Sequence, residues 1–158
     1  MHVPIYVMGG LIGIGMVEMN AERPYALALN RLRNADLRPT RQRLALCKML
    51  FEGGDRHITA ETLHGEAKAA DVRVSLATIY NTLHQFTAAG LLREVVVESG
   101  KTYFDTNTKE HHHFYLEDEG RLVDIDGGSV AVSGLPTPPG GGEIARVDVV
   151  VRVRGSST

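Results

Sequence analysis

The sequence predicts an α+β fold in two parts, an N-terminal winged helix-turn-helix domain followed by a small C-terminal α/β domain. Three observations carry this prediction. From Pro24 to Gly90 the apolar residues recur every three or four positions; from Arg93 they fall into extended runs; and the charge changes sign between the two parts. Seven basic residues stand between Arg23 and Lys48 against Asp36 alone, whereas between Asp105 and Asp126 seven acids face only Lys109 and Arg121. A basic front suits a polyanion, and an acidic rear that also carries His111, His112 and His113 suits a cation.

The chain has 158 residues, enough for one ordinary domain or two small ones with real cores. Cys47 is its single cysteine, so there is no intrachain disulfide and no Cys-x-x-Cys zinc site, and a cytosolic location is the simplest expectation. Residues Met1 to Val17 are apolar and glycine-rich but lack the basic start of a secretory signal and are short for a membrane span. Residues 1–22 are therefore expected to form a flexible extension with no membrane partner, and Met16 or Met19 is an alternative start.

The elements follow in order. Tyr25, Leu27, Leu29 and Leu32 mark a first helix ending near Asn34; Pro39-Thr40 opens a second, with Leu44, Leu46, Cys47, Leu50 and Phe51, that Gly53-Gly54 stops. Thr59 caps a third, through about Ala70, with Leu63 and Ala67 on one face. Ser75 caps a fourth, Leu76 to Ala89, with Ile79, Leu83 and Phe86 inward and Thr78, Tyr80, Asn81 and Gln85 on its other faces. Arg93–Glu98 and Lys101–Thr106 flank Ser99-Gly100 as a hairpin.

Helices followed by a hairpin make a winged helix-turn-helix, whose recognition helix enters the major groove of DNA. Ser75 starts that helix; Thr78 and Tyr80 are placed to touch thymine methyls and Asn81 to read an adenine edge. Arg38, Arg41 and Arg43 would flank the groove and contact phosphates, setting affinity and register. Tyr80 reads equally well as a packing residue.

In an extended segment side chains alternate, so His111 and His113 share one side and His112 takes the other. Beyond a turn at Asp118-Glu119-Gly120, Arg121–Ile125 reads as a strand, as does Val147–Val153; the Gly-Leu-Pro-Thr-Pro-Pro-Gly-Gly-Gly run from Gly134 between them is a turn-rich connection. A long apolar final strand is a liability unless paired, which favours a dimer.

Leu37-Arg38-Pro39-Thr40-Arg41-Gln42-Arg43, His57-Ile58-Thr59-Ala60-Glu61, Ser75 through Leu83 and Gly90-Leu91 resemble the ferric uptake regulator family. The resemblance runs from about Arg31 to Asp126. It implies a homodimer on palindromic double-stranded operator DNA, with a DNA-binding domain at 23–106 and a dimerisation and sensing domain at 107–158. It also implies a regulatory metal site of His57, Asp105, His111, His113 and Asp124, with ligand types that suit Fe(II), Mn(II), Co(II) or Zn(II).

Two departures sharpen the resemblance. Leu116-Glu117-Asp118-Glu119 stands where most members have Cys-x-x-Cys, so no structural zinc held by four cysteines is expected, and the histidine run reads His-His-His. Both resemble the iron response regulator branch, which implies haem as effector through His111, His112 and His113, delivered by haem synthesis. Two other readings stand beside it: a peroxide-sensing repressor of the same family, and a zinc hydrolase built on His111, His113 and Asp124 with Glu110 or Glu119 as base. The hydrolase leaves the recognition helix unexplained.

Overall fold

In the computed structural model, residues 24–98 and 100–155 are described. The expected extension at 1–22 and Ser99 of the hairpin turn lie outside them. Four helices come first: α1 (Ala26–Asn34), α2 (Arg41–Phe51), α3 (Ala60–Ala69) and α4 (Leu76–Ala88). A short strand β1 (His57–Ile58) lies between α2 and α3, and β2 (Arg93–Glu98) and β3 (Lys101–Asp105) form the wing. Then come β4 (His111–Leu116), β5 (Arg121–Asp126) and β6 (Val150–Val153).

Side-chain oxygens start three of the helices. Thr40 accepts from the Arg43 N–H at 3.2 Å, Thr59 from that of Thr62 at 3.2 Å, and Ser75 from that of Thr78 at 3.1 Å. Each satisfies a donor that the first helical turn leaves without a partner. Thr59→Ala is expected to cost about 1 kcal/mol of unfolding free energy, read by urea denaturation; no change would mean that water serves the Thr62 N–H equally well. At the far end of α4 the chain turns through Gly90 at φ +79°, with the Leu91 N–H returning to the Phe86 carbonyl at 2.9 Å. That positive φ is why glycine closes α4.

The helices bury one core, in which Leu32, Leu46, Leu50, Leu63, Ile79, Leu83 and Phe86 are fully enclosed. Cys47 belongs to it, and burial pushes its thiol up to about 11, as fits an inert core residue. Helix α1 departs from the expected stripe. Its buried residues are Ala28 and Leu32, one turn apart, while Leu27 is 74 % exposed. Leu27 sits about 100° around the helix from Ala28, so contact through that pair turns it outward.

Two three-stranded sheets follow, with orders β1-β3-β2 and β5-β4-β6. Their facing sides bury Val95, Val97 and Tyr103 of the wing against Tyr115 and Leu122. Strand β6 runs parallel to β4, with His113 opposite Val150. It is shorter than expected, because residues 147–149 do not join the strand. Among the described residues no α-helix follows Ala88; residues 127–149 hold only short 3₁₀ turns at Gly127–Ser129 and Pro139–Gly141. Pro136, Pro138, Pro139 and the glycines around them account for this, since they deny a helix its donors and its rigidity.

Candidate metal centre and DNA-binding face

Five ligand-type side chains are brought to one point by strand register. His57 lies opposite Asp105 in the first sheet, and His113 lies opposite Asp124 in the second. His111 joins them from β4, because residues two apart on a strand share a face. One ligand atom from each of the five lies within 4.8 Å of every other. The expected set is thus brought together whole, with members from both sheets.

The three Nε2 atoms of His57, His111 and His113 converge on Asp105 Oδ2 at 3.3, 2.8 and 2.9 Å. They also surround Asp124 Oδ1 at 2.7, 3.4 and 3.5 Å. A single carboxylate oxygen cannot accept well from three imidazoles at once, and the buried His57 Nε2 has no hydrogen-bond partner of acceptable geometry. An orphaned nitrogen aimed at two carboxylates and two further imidazoles fits a bound divalent cation. Second contacts fix the orientation of His111, whose Nδ1 lies 2.6 Å from the Lys109 carbonyl and so carries the proton, leaving Nε2 free as a ligand. Gly127 makes room beside this segment, because a Cβ there would come within 2.8 Å of the Glu110 carbonyl.

The electrostatics are those of a cation site. Burial opposes ionisation of Asp105, yet the hydrogen bonds from His113 and the Asn107 N–H and the nearby His57 imidazole hold it well below the ordinary carboxylate range. Burial likewise disfavours charge on His57, but Asp105 and Asp124 outweigh it and raise the ring above its ordinary 6.5. In the metal-free protein the stability from protonated His57 is fully present below that value and is lost as pH rises through the raised one. Metal requires the neutral ring, so affinity moves the other way. Mn(II) affinity is expected to strengthen as pH rises over the interval in which the His57 contribution to metal-free stability declines. Calorimetric titrations and thermal melts across neutral pH check both trends, and a pH-independent affinity would exclude His57 from the ligands.

His112 stands apart. It is 6 % exposed, faces away from its two neighbours, and accepts the Val149 N–H at Nδ1 over 3.2 Å. The two middle acids of the Leu116-Glu117-Asp118-Glu119 run reach β6 and the residues just past it: Glu117 binds Arg152 and Arg154, and Asp118 accepts the Gly155 N–H at 2.6 Å.

On α4, Ser75 and Asn81 are exposed and Thr78 and Tyr80 half-buried. The Tyr80 hydroxyl donates to Glu61 of α3, and its ring stacks on His84, so it both packs and remains partly presented. Arg38 and Arg41 are exposed. Arg43 donates to the Arg38 carbonyl at 2.8 Å and to Gln85 Oε1 at 2.7 Å, bracing α2 against α4. In the sequence Arg93 is no more than the start of a strand. It is buried on the same side as Val95 and Val97, and that alternation is the signal that could have marked it.

The ferric uptake regulator family profile matches residues 34–133, most of the chain. The chain belongs to the ferric uptake regulator family. It is 34 % identical over 101 residues to the ferric uptake regulation protein of Shigella flexneri, covering 63 % of this chain and 68 % of that one. It is also 34 % identical over 94 residues to the peroxide-responsive repressor PerR of Staphylococcus aureus, covering 60 % of this chain and 63 % of that one. The ferric uptake regulator of Pseudomonas aeruginosa, solved with manganese, superposes with a TM-score of 0.63 at 27 % identity, over 82 % of this chain and 98 % of the other. Members of the ferric uptake regulator family are dimeric DNA-binding regulators of transcription and not enzymes, which sets the hydrolase alternative aside.

Proposed function

We propose that this protein is a transcription regulator whose affinity for operator DNA is set by a divalent metal held by His57, Asp105, His111, His113 and Asp124. The observation that carries the reading is the convergence of three imidazoles and two carboxylates from both sheets. Mixed nitrogen and oxygen ligands suit Fe(II), Mn(II) or Zn(II), and the Pseudomonas relative was solved with manganese. Residues 23–106 serve as the DNA-binding unit, with Arg38, Arg41, Arg43, Ser75, Thr78, Tyr80 and Asn81 toward a palindromic operator. Residues 107–158 serve as the sensing and dimerising unit of a cytoplasmic homodimer.

When bound, the metal supplies a positive centre that ties the sheets together. His57 and Asp105 fix the position of the wing and helices, while His111, His113 and Asp124 fix the second sheet. Holding both at one point selects one relative arrangement, and a dimer in that arrangement presents its recognition helices at one spacing. Metal then changes DNA affinity by as much as it prefers that arrangement over others.

Haem offers a second signal through the histidine triple. His112 is the residue of the three outside the metal cluster, and a haem bound there would compete with its bond to Val149. Peroxide is a third, supported by the PerR relative. Footprints of operator DNA with Mn(II), Fe(II) or haem added separately distinguish the first two, and added oxygen on the His111–His113 peptide after peroxide marks the third. No change of footprint with either metal would overturn the metal reading. Asn81→Ala is expected to cost about 1–3 kcal/mol of specific binding by titration with labelled operator while sparing nonspecific affinity; equal losses on both would show that α4 does not read bases.

A further inference from the structure

Arg93 is a buried cation placed where the two sheets meet. It opens β2 directly opposite Asp105 of β3 and is 4 % exposed. Strand alternation puts it on the inner side with Val95 and Val97, where an arginine is kept only if its guanidinium is paired. Both of its partners belong to the second half of the chain. Nη1 donates to the Lys109 carbonyl at 3.3 Å, and Nη2 binds the carboxylate of Asp148, which Arg146 also holds at 2.9 Å. Its Nε has no partner among the described residues, so these two contacts are what hold the group.

Lys109 gives the first contact its meaning, because the same carbonyl receives the Nδ1 proton of His111. A carbonyl in that place decides which ring nitrogen of a ligating histidine faces the metal and how the ring is turned. Asp148 gives the second contact its meaning. It immediately precedes Val149, whose N–H reaches His112 and whose carbonyl accepts the His113 N–H at 3.1 Å, and Val150, which pairs with His113. One guanidinium therefore touches the backbone before the ligand strand and the segment that delivers the neighbouring strand.

We propose that Arg93 is the positioning residue of the metal centre, holding the Lys109 carbonyl that orients His111 and, through Asp148, the segment leading into β6. This rests on the metal reading given above. It adds a route by which the wing and the sensing sheet communicate: the strand that carries Asp105 is paired with the strand that carries Arg93, so a shift of the wing moves a ligand and the support of another ligand together.

The test is a Co(II) titration of the full-length chain, followed by visible ligand-field absorption, on wild type, Arg93→Met, Arg93→Lys, Asp148→Asn and His113→Ala. Arg93→Met is expected to weaken Co(II) binding about 10- to 100-fold and to alter the ligand-field spectrum, with a cooperative melt retained in the metal-free protein. Arg93→Lys should recover part of the affinity, since an ammonium can serve one of the two acceptors. Wild-type affinity and spectrum in Arg93→Met would overturn the proposal. If that variant does not fold, Asp148→Asn decides, with a severalfold weakening expected and wild-type affinity overturning it. A wild type that gives no Co(II) spectrum, or a His113→Ala variant that binds as wild type does, would overturn the metal reading itself, and this inference with it.

Discussion

Alanine in place of His113 should all but remove divalent-metal binding while the metal-free chain still folds. His113 lies at the centre of the cluster, 2 % exposed, with its ring 4.5 Å from that of His111 and 5.1 Å from that of His57. Losing an outer contact of a ligand typically costs roughly 10- to 100-fold in metal affinity, so losing a ligand should cost at least that. The metal-free protein loses the hydrogen bond between His113 and Asp105, but Asp105 keeps His111 and the Asn107 N–H as partners, so the fold should persist. A thermal shift shows both effects. Metal at about 100 times its dissociation constant adds about 2.7 kcal/mol to a protein that binds it only when folded, and the variant should show almost none of that increment. A full shift in His113→Ala would place the metal elsewhere.

Phe104→Ala should be among the most damaging single truncations outside the ligand set. Phe104 is fully buried in the centre of the first sheet, opposite Ile58 on one side and Glu94 on the other, with the His84 ring at its edge. Truncating such a ring typically costs about 3–5 kcal/mol, a large share of the roughly 5–15 kcal/mol that holds a domain together. Asp105 follows it directly, so metal affinity should fall as well. Urea denaturation of the metal-free protein measures the first effect. A loss under about 1 kcal/mol would show that the wing packs on the helices without depending on this ring.

Much of the fold is legible in the sequence because the helical half obeys local rules. Thr40, Thr59 and Ser75 each cap the helix that follows, and Ile79, Leu83 and Phe86 are buried as their spacing requires. Alternation in β4 separates His112 from His111 and His113, and the structure keeps them apart. What escapes a reading of the sequence depends on distant pairing. Strand β1 is two residues long and exists because β3 lies beside it, so no periodicity within His57-Ile58 could announce it. Burial of all three histidines is likewise a tertiary result, since the second sheet is covered by the wing on one side and bordered by β6 at its edge. Strand β6 looks longer in the sequence because valine alternation continues before Val150, whereas pairing with β4 reaches only from His113 to Leu116.

The parallel pairing of β4 with β6 sets an order of events in folding. The wing hairpin and the β4–β5 pair close over a few residues and can form early, but Val149 meets His112 across a separation of 37 residues with no α-helix after β5 among the described residues to shorten the search. Closing so long an irregular connection costs chain entropy before any contact rewards it. The ligand strand should therefore gain its β5 neighbour first and its β6 neighbour last. In native-state hydrogen exchange the amides of β6 should open before those of β5, making the last strand to arrive the first to leave.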